Sequence, residues 1–141
     1  MTRTLSIVAA LIVALAVGTL GLGRASASPD ERLAMAAVDT WLSAAAQRDV
    51  SGMCAVEAVP QPAANRIAMR ADAWAAACPK TYDPARVSND AAGYQQARAA
   101  GPTSTVTWAG SEIRVSYDDQ NLAFYAVEED GAWRVRGAGT R

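Results

Sequence analysis

The sequence predicts an α+β domain in which amino-terminal helices pack against a curved antiparallel sheet of about four strands, all of it behind a signal peptide. Three observations carry this prediction. A long apolar run follows an early arginine, apolar residues then recur at helical spacing, and from Thr103 onward β-branched and aromatic residues alternate between turn signals. Helices first and strands afterwards define a two-layer α+β architecture.

The leader comes first. Arg3 opens a short basic region, Leu5 to Val17 is apolar apart from Ser6, and Ala25-Ser26-Ala27 has the form of a cleavage signature. Residues 1–27 therefore read as a signal peptide and 28–141 as one domain. Extending the apolar run to Leu22 brings it close to the about 20 residues a membrane span needs, so an uncleaved signal anchor stays open. Both versions put the domain outside the cytoplasmic membrane, secreted or at the cell envelope, because Arg3 keeps the amino end inside. The first cysteine is Cys54, too far along for a lipid-accepting position.

The 114 residues after position 27 carry 11 basic and 14 acidic side chains, a net of −3. That balance excludes a basic nucleic-acid binder. Of their 55 apolar residues 27 are alanine, so the core available to a single small domain is thin.

Ser28-Pro29-Asp30-Glu31 has the form of a capping box with proline at the first helical position. The helix after it presents Leu33, Ala37, Val38, Trp41, Leu42 and Ala45 on one stripe. Asp49 to Gly52 reads as a break, and Val50 to Glu57 as a short second helix carrying Cys54. A third helix starts at Pro62, buries Ile67, Ala71, Trp74 and Cys78, and stops at Pro79. Beyond it two readings stay open: a loop or edge strand over Tyr82 to Val87, and a helix from Asp90 to Ala100 capped by Asn89-Asp90 and stopped by Gly101-Pro102.

Candidate strands are Thr103–Trp108, Glu112–Tyr117, Leu122–Glu128 and Ala132–Arg136, joined by short loops that suit antiparallel neighbours. Alternation puts Val106 and Trp108, Ile113, Val115 and Tyr117, Leu122, Phe124 and Ala126, and Trp133 and Val135 on the buried face. Cys54 and Cys78, an even pair in an exported chain, read as a disulfide. Closing that loop restricts the unfolded chain by about 3.5 kcal/mol.

The helix containing Trp41, the break at Asp49, the two cysteines and the closing Gly131-Ala132-Trp133-Arg134-Val135 turn resemble the nuclear transport factor 2-like superfamily, which includes ketosteroid-isomerase-like and other cystatin-like folds. They resemble most its small exported members in actinobacteria, and 12 arginines against the single Lys80 fit a high-GC genome. The resemblance implies a cone, with the sheet wrapped around the helices and a cavity at the wide end, and a homodimer through the sheet as in many relatives.

The absence of histidine removes more chemistry than any motif supplies. A zinc site would need His or more Cys, so no metal is expected. Lys80 has no S-x-x-K pattern near it, and the glycines are dispersed in turns, so hydrolase, kinase and dinucleotide readings are set aside and no cofactor is expected. Asp39, beside the apolar stripe of the first helix, is the one carboxylate offered as a general base, against its ordinary reading as a solvated helix acid. Trp41, Trp74, Trp108 and Tyr117 are the residues expected to line a pocket, against their ordinary reading as core; Tyr82, Tyr94 and Tyr125 could add polar tips. The expectation is a non-catalytic exported domain that binds a small apolar ligand or a protein partner. The alternatives are an isomerase or dehydratase acting on a ring ketone through a cavity carboxylate, and a structural or dimerisation module at the envelope.

Overall fold

The computed structural model describes residues 27–61, 69–108 and 111–140; the side chains of Trp108 and of residues 138–140 are also outside that description. Nearly all of the expected signal peptide and the expected start of the third helix lie outside the described residues. Among the described residues, no helix is long and apolar enough to cross a membrane.

Helix α1 (Pro29–Ala46) begins with the capping box. The Glu31 N–H donates to Ser28 Oγ at 3.2 Å and the Ser28 N–H to Glu31 Oε2 at 2.6 Å, which satisfies two amides that a helix start otherwise leaves open. Glu31 Oε1 accepts from Thr105 Oγ1 at 3.1 Å, so the cap also ties the helix to the sheet. The Ser28 amide first, and the Thr105 hydroxyl second, hold the Glu31 carboxyl below its ordinary value. Ala34, Val38, Trp41, Leu42 and Ala45 are buried, whereas Leu33, expected on the same stripe, is 54% exposed. It lies one residue outside the arc that Ala34 and Val38 define.

Arg48 adopts a left-handed φ of 60° between α1 and α2 (Val50–Ala55). Asp49 caps α2, its Oδ1 accepting the Gly52 N–H at 3.0 Å. A Cβ at Gly52 would sit 2.5 Å from Asp49 Oδ2 and 3.0 Å from the Ala44 Cβ, so glycine is what lets α2 lie this close to α1. Among the described residues the third helix, α3, spans Ala71–Ala77 and passes directly into a 3₁₀ turn, Cys78–Thr81, with Pro79 inside that turn rather than ending the α-helix. The stripe expected there is corrected at its described positions: α3 buries no residue of its own, Ala71 is exposed, Trp74 is half-buried and Cys78 is fully inside, while Ile67 lies outside the described residues.

The open stretch beyond resolves as one long helix. α4 runs Pro84–Ala100, capped by Asp83 Oδ1 accepting from the Ala85 N–H at 3.0 Å and ended by Gly101 at a φ of 76°. The loop or strand reading of Tyr82 to Val87 is thereby corrected, because Asp83-Pro84 is a cap followed by a proline at the first helical position. Val87, Ala91 and Ala97 face the core.

Strands β1 (Ser104–Trp108), β2 (Glu112–Tyr117), β3 (Leu122–Glu129) and β4 (Ala132–Thr140) form an open antiparallel sheet in sequence order. The β3–β4 hairpin turns on Asp130 and Gly131, with φ of 52° and 78°, the two left-handed positions that a two-residue turn of this kind demands. Val115 pairs with Phe124 and Ile113 with Ala126, and all four are buried on the helix-facing side. For β1 the expected phase is inverted. Val106 pairs with Arg114 and is 49% exposed, while Thr105 pairs with Val115 and turns inward to reach Glu31. Thr105 thus shares the inward face with its partner Val115, where the α1 cap gives its hydroxyl an acceptor. A register shift between Tyr125 and Ala126 bulges β4 near Arg136.

The segment after α2 adds a parallel bridge to β4 at Glu57 and Val135. The Ala58 N–H donates to the Val135 carbonyl and the Val135 N–H to the Val56 carbonyl, both at 2.8 Å.

Candidate functional site

Glu57 has no motif around it in the sequence, only Cys54 three residues before it, and the fold places it under a roof of aromatic rings. Its backbone is held by the bridge to β4, and its side chain turns in toward α1. The Trp41 indole N–H donates to Glu57 Oε1 at 3.0 Å, and the Tyr82 hydroxyl donates to the same oxygen. The other oxygen, Oε2, lies 3.4 Å from Cys78 Sγ. That sulfur is bonded to Cys54 Sγ at 2.05 Å and carries no hydrogen, so the contact is packing, and Oε2 meets no hydrogen-bond donor among the described residues.

Three separate parts of the chain converge here, and the disulfide draws two of them together. It joins the last turn of α2 to the 3₁₀ turn across Cα atoms 5.9 Å apart, which brings Tyr82 beside Glu57. The expected Cys54–Cys78 bridge is thus present, and it does more than cross-link the chain: its sulfur packs against the Glu57 carboxylate.

A cavity of about 350 Å³ opens over this carboxylate, a size in the range of small-molecule sites. Trp41, Met53, Tyr82, Val87, Tyr94 and Val135 supply its rings and apolar surface. Tyr94 meets the Trp41 ring edge-on, with centroids 5.3 Å apart and planes at 86°. Burial raises the Tyr94 hydroxyl above its ordinary pKa, and the Asp90 charge adds to that while Arg86 opposes it. Burial likewise pushes the Glu57 carboxyl above the ordinary carboxylate value, and the Trp41 N–H pulls the other way without cancelling it.

The sign of that shift yields a prediction. A carboxyl whose folded pKa lies above its unfolded value costs folding free energy when ionised; its favourable contribution is complete below pH 4.5 and is lost as pH rises through the folded pKa. Glu57→Gln keeps an acceptor for Trp41 and Tyr82 and removes the charge. Its Tm should exceed that of the parent at pH 7, with the gap closing by pH 4. A gap that is unchanged between those two pH values, measured by thermal unfolding, would show that Glu57 charge burial is not its source.

A second, wider depression of about 590 Å³ holds two of the residues expected from sequence, Asp39 and Tyr117, with Arg32, Met35 and Thr105. Asp39 is exposed and forms an ion pair with Arg98 at 3.1 Å, joining α1 to α4 at the surface. Tyr117 is 2% exposed, stacks edge-on against Phe124 at 5.8 Å, and its hydroxyl is pushed up to about 12 by burial and, second, by the Asp39 charge. These are the features of a core tyrosine and a surface acid, and they do not converge on one point.

Of the four aromatics expected to line a pocket, the three whose side chains are described do not share one. Trp41 lines the Glu57 cavity and is also core, packed on Phe124 at 5.3 Å. Tyr117 belongs to the other depression. Trp74 lines neither, and its indole N–H is buried with no acceptor among the described residues. The Trp108 side chain lies outside the described residues. Tyr82 and Tyr94, expected only as polar tips, are wall residues of the Glu57 site, whereas Tyr125 is half-buried on β3 opposite Arg114. Nothing in the spacing of Trp41, Glu57 and Tyr82 marks them as partners, because helix periodicity reaches only three or four residues.

Comparison with protein-family models, with curated proteins and with solved structures finds no match for this chain.

Proposed function

We propose that this chain is an exported domain that binds a small organic molecule in the cavity above Glu57 without transforming it. One observation carries the reading: a half-buried carboxylate, held through one oxygen by the neutral donors Trp41 and Tyr82 and paired with no cation among the described residues, lines a cavity of ligand size. Buried carboxylates are normally paired. The disulfide supports the exported part of the reading, because such bonds persist in oxidising compartments. The same reading takes the first 27 residues as a cleaved signal peptide and the chain as a small actinobacterial member of the nuclear transport factor 2-like superfamily, with the sheet as one wall of a cone. Its support is the order of helices followed by a four-strand meander.

A second reading is favoured by the raised Glu57 carboxyl. A carboxylate tuned upward by burial can take and return a proton, so an isomerase or dehydratase of ring ketones on this scaffold would use Glu57 as its base. Asp39, already committed to Arg98 at the surface, would not serve.

The test of the first reading is amide NMR with a panel of compact aromatic and alicyclic compounds. Saturable shifts should cluster on Met53, Glu57, Tyr82 and Tyr94, with a change in tryptophan emission that is lost in Trp41→Phe. Shifts confined to the outer sheet face, or none, would overturn it in favour of a protein partner or a purely structural role. Turnover of a ring ketone that is abolished by Glu57→Gln and retained by Asp39→Asn would establish the second reading.

A further inference from the structure

The chemistry of the lining residues goes further than size and names a class of ligand; the step rests on the small-molecule reading of the Glu57 cavity. Both groups that donate to Glu57, the Trp41 N–H and the Tyr82 O–H, are neutral, and among the described residues no cationic side chain pairs with it. Two arginines do line the cavity, and neither pairs with Glu57. Arg86 faces Asp90 one helical turn along α4 at 3.7 Å with its side chain 83% exposed, and Arg136 donates to Glu112 at 2.7 Å on the sheet. Asp83, the α4 cap, adds a further acid to the lining. Among the described lining residues three acids stand against two arginines, and Glu57 has no ion-pair partner, beside three aromatic side chains.

Each ligand charge class meets this arrangement differently. An anion would face Glu57, Asp83 and Asp90, with Arg86 and Arg136 opposing them. A neutral apolar molecule, the ligand expected from the sequence, would cover the Glu57 carboxylate and strip its remaining water while offering no hydrogen bond in return, which is costly for a carboxylate. A cation supplies the counter-charge that Glu57 lacks and is attracted by the ring faces around it. We infer that the cavity takes an organic cation, a primary or quaternary amine on a compact apolar body, with Glu57 as its counter-ion and Trp41, Tyr82 and Tyr94 as its aromatic surround. Arg86 and Arg136 line the same cavity without pairing with Glu57; their partners are Asp90 at 3.7 Å and Glu112 at 2.7 Å.

Three probes of nearly equal size separate the outcomes: benzylamine, benzyl alcohol and benzoate, each titrated into the disulfide-intact protein at pH 7 and followed by amide NMR and calorimetry. Benzylamine should bind at least about tenfold more tightly than benzyl alcohol, with benzoate weakest, as one charge-assisted contact and cation–π attraction together imply. Glu57→Gln should erase that preference; Asp72→Asn, an exposed acid away from the cavity, should leave all three affinities unchanged. Circular dichroism confirms that each variant is folded, and tetramethylammonium repeats the comparison with a cation that cannot donate a hydrogen bond. Equal affinities for amine and alcohol, or an amine preference that survives Glu57→Gln, would overturn the cation assignment while leaving the cavity a ligand site. Absence of shifts at Met53, Glu57, Tyr82 and Tyr94 with every probe would overturn it together with the small-molecule reading.

Discussion

The double variant Cys54→Ala/Cys78→Ala is expected to lose about 3.5 kcal/mol of stability, the loop-closure value for a bridge across 24 positions. That is a large share of the stability of a small domain. Alanine does little to compensate in this core, since many of the buried positions are alanine already: Ala34, Ala44, Ala45, Ala91, Ala97 and Ala126 each bury little area. The bridge also ties α3 and the 3₁₀ turn to the rest of the molecule, because α3 buries no residue of its own. Denaturant midpoints of the double variant and parent, measured without reductant, check this; addition of reductant should bring the parent to the variant's value. A loss below about 1 kcal/mol would mean that packing alone holds the 55–77 segment in place. Because Tyr82 follows directly on the bridged turn, the variant should also lose the Tyr82–Glu57 hydrogen bond.

Trp41→Ala should cost about 3–5 kcal/mol, the range for removing a buried large aromatic. The indole is 5% exposed and packs on Phe124 and Tyr94, so it joins α1 to the sheet and to α4 at once. Trp41→Phe divides that cost. It retains a ring for Phe124 and Tyr94 but removes the N–H that binds Glu57, for which about 1–3 kcal/mol is expected as a half-buried carboxylate loses a donor. The second readout is the Glu57 carboxyl titration by carbon NMR. Its pKa, already raised by burial, should move further upward when the opposing N–H is removed. An unchanged Glu57 titration in Trp41→Phe would show that the indole is core only and takes no part in the site.

Parts of this molecule are legible in the sequence because their causes are local. The capping box at Ser28 and Glu31, the Asp130-Gly131 turn and the β2 strand each follow from residues a few positions apart, and each stands where the local chemistry puts it. The start of α4 is equally local, since Asp83-Pro84 is a cap and proline pair, although Asn89-Asp90 inside the same helix offers a competing cap. The phase of β1 is not local. Alternation favours burying Val106, whereas pairing with β2 puts Thr105 on the inward face beside Val115, where it meets the capping carboxylate of α1, 74 positions away.

The order of helices and strands and the pairing of the cysteines were determined by the sequence itself, through propensity, turn chemistry and the even cysteine count. The site was decided only by tertiary structure. Glu57 acquires its character from Trp41, 16 positions before it, from Tyr82, 25 positions after it, and from a backbone bridge to Val135. A carboxylate's pKa and partners depend on the solvent and dipoles around it in space, and no linear spacing records those. For the same reason Asp39, beside the right stripe in sequence, lies in water against Arg98, while Glu57 lies beneath the aromatic rings.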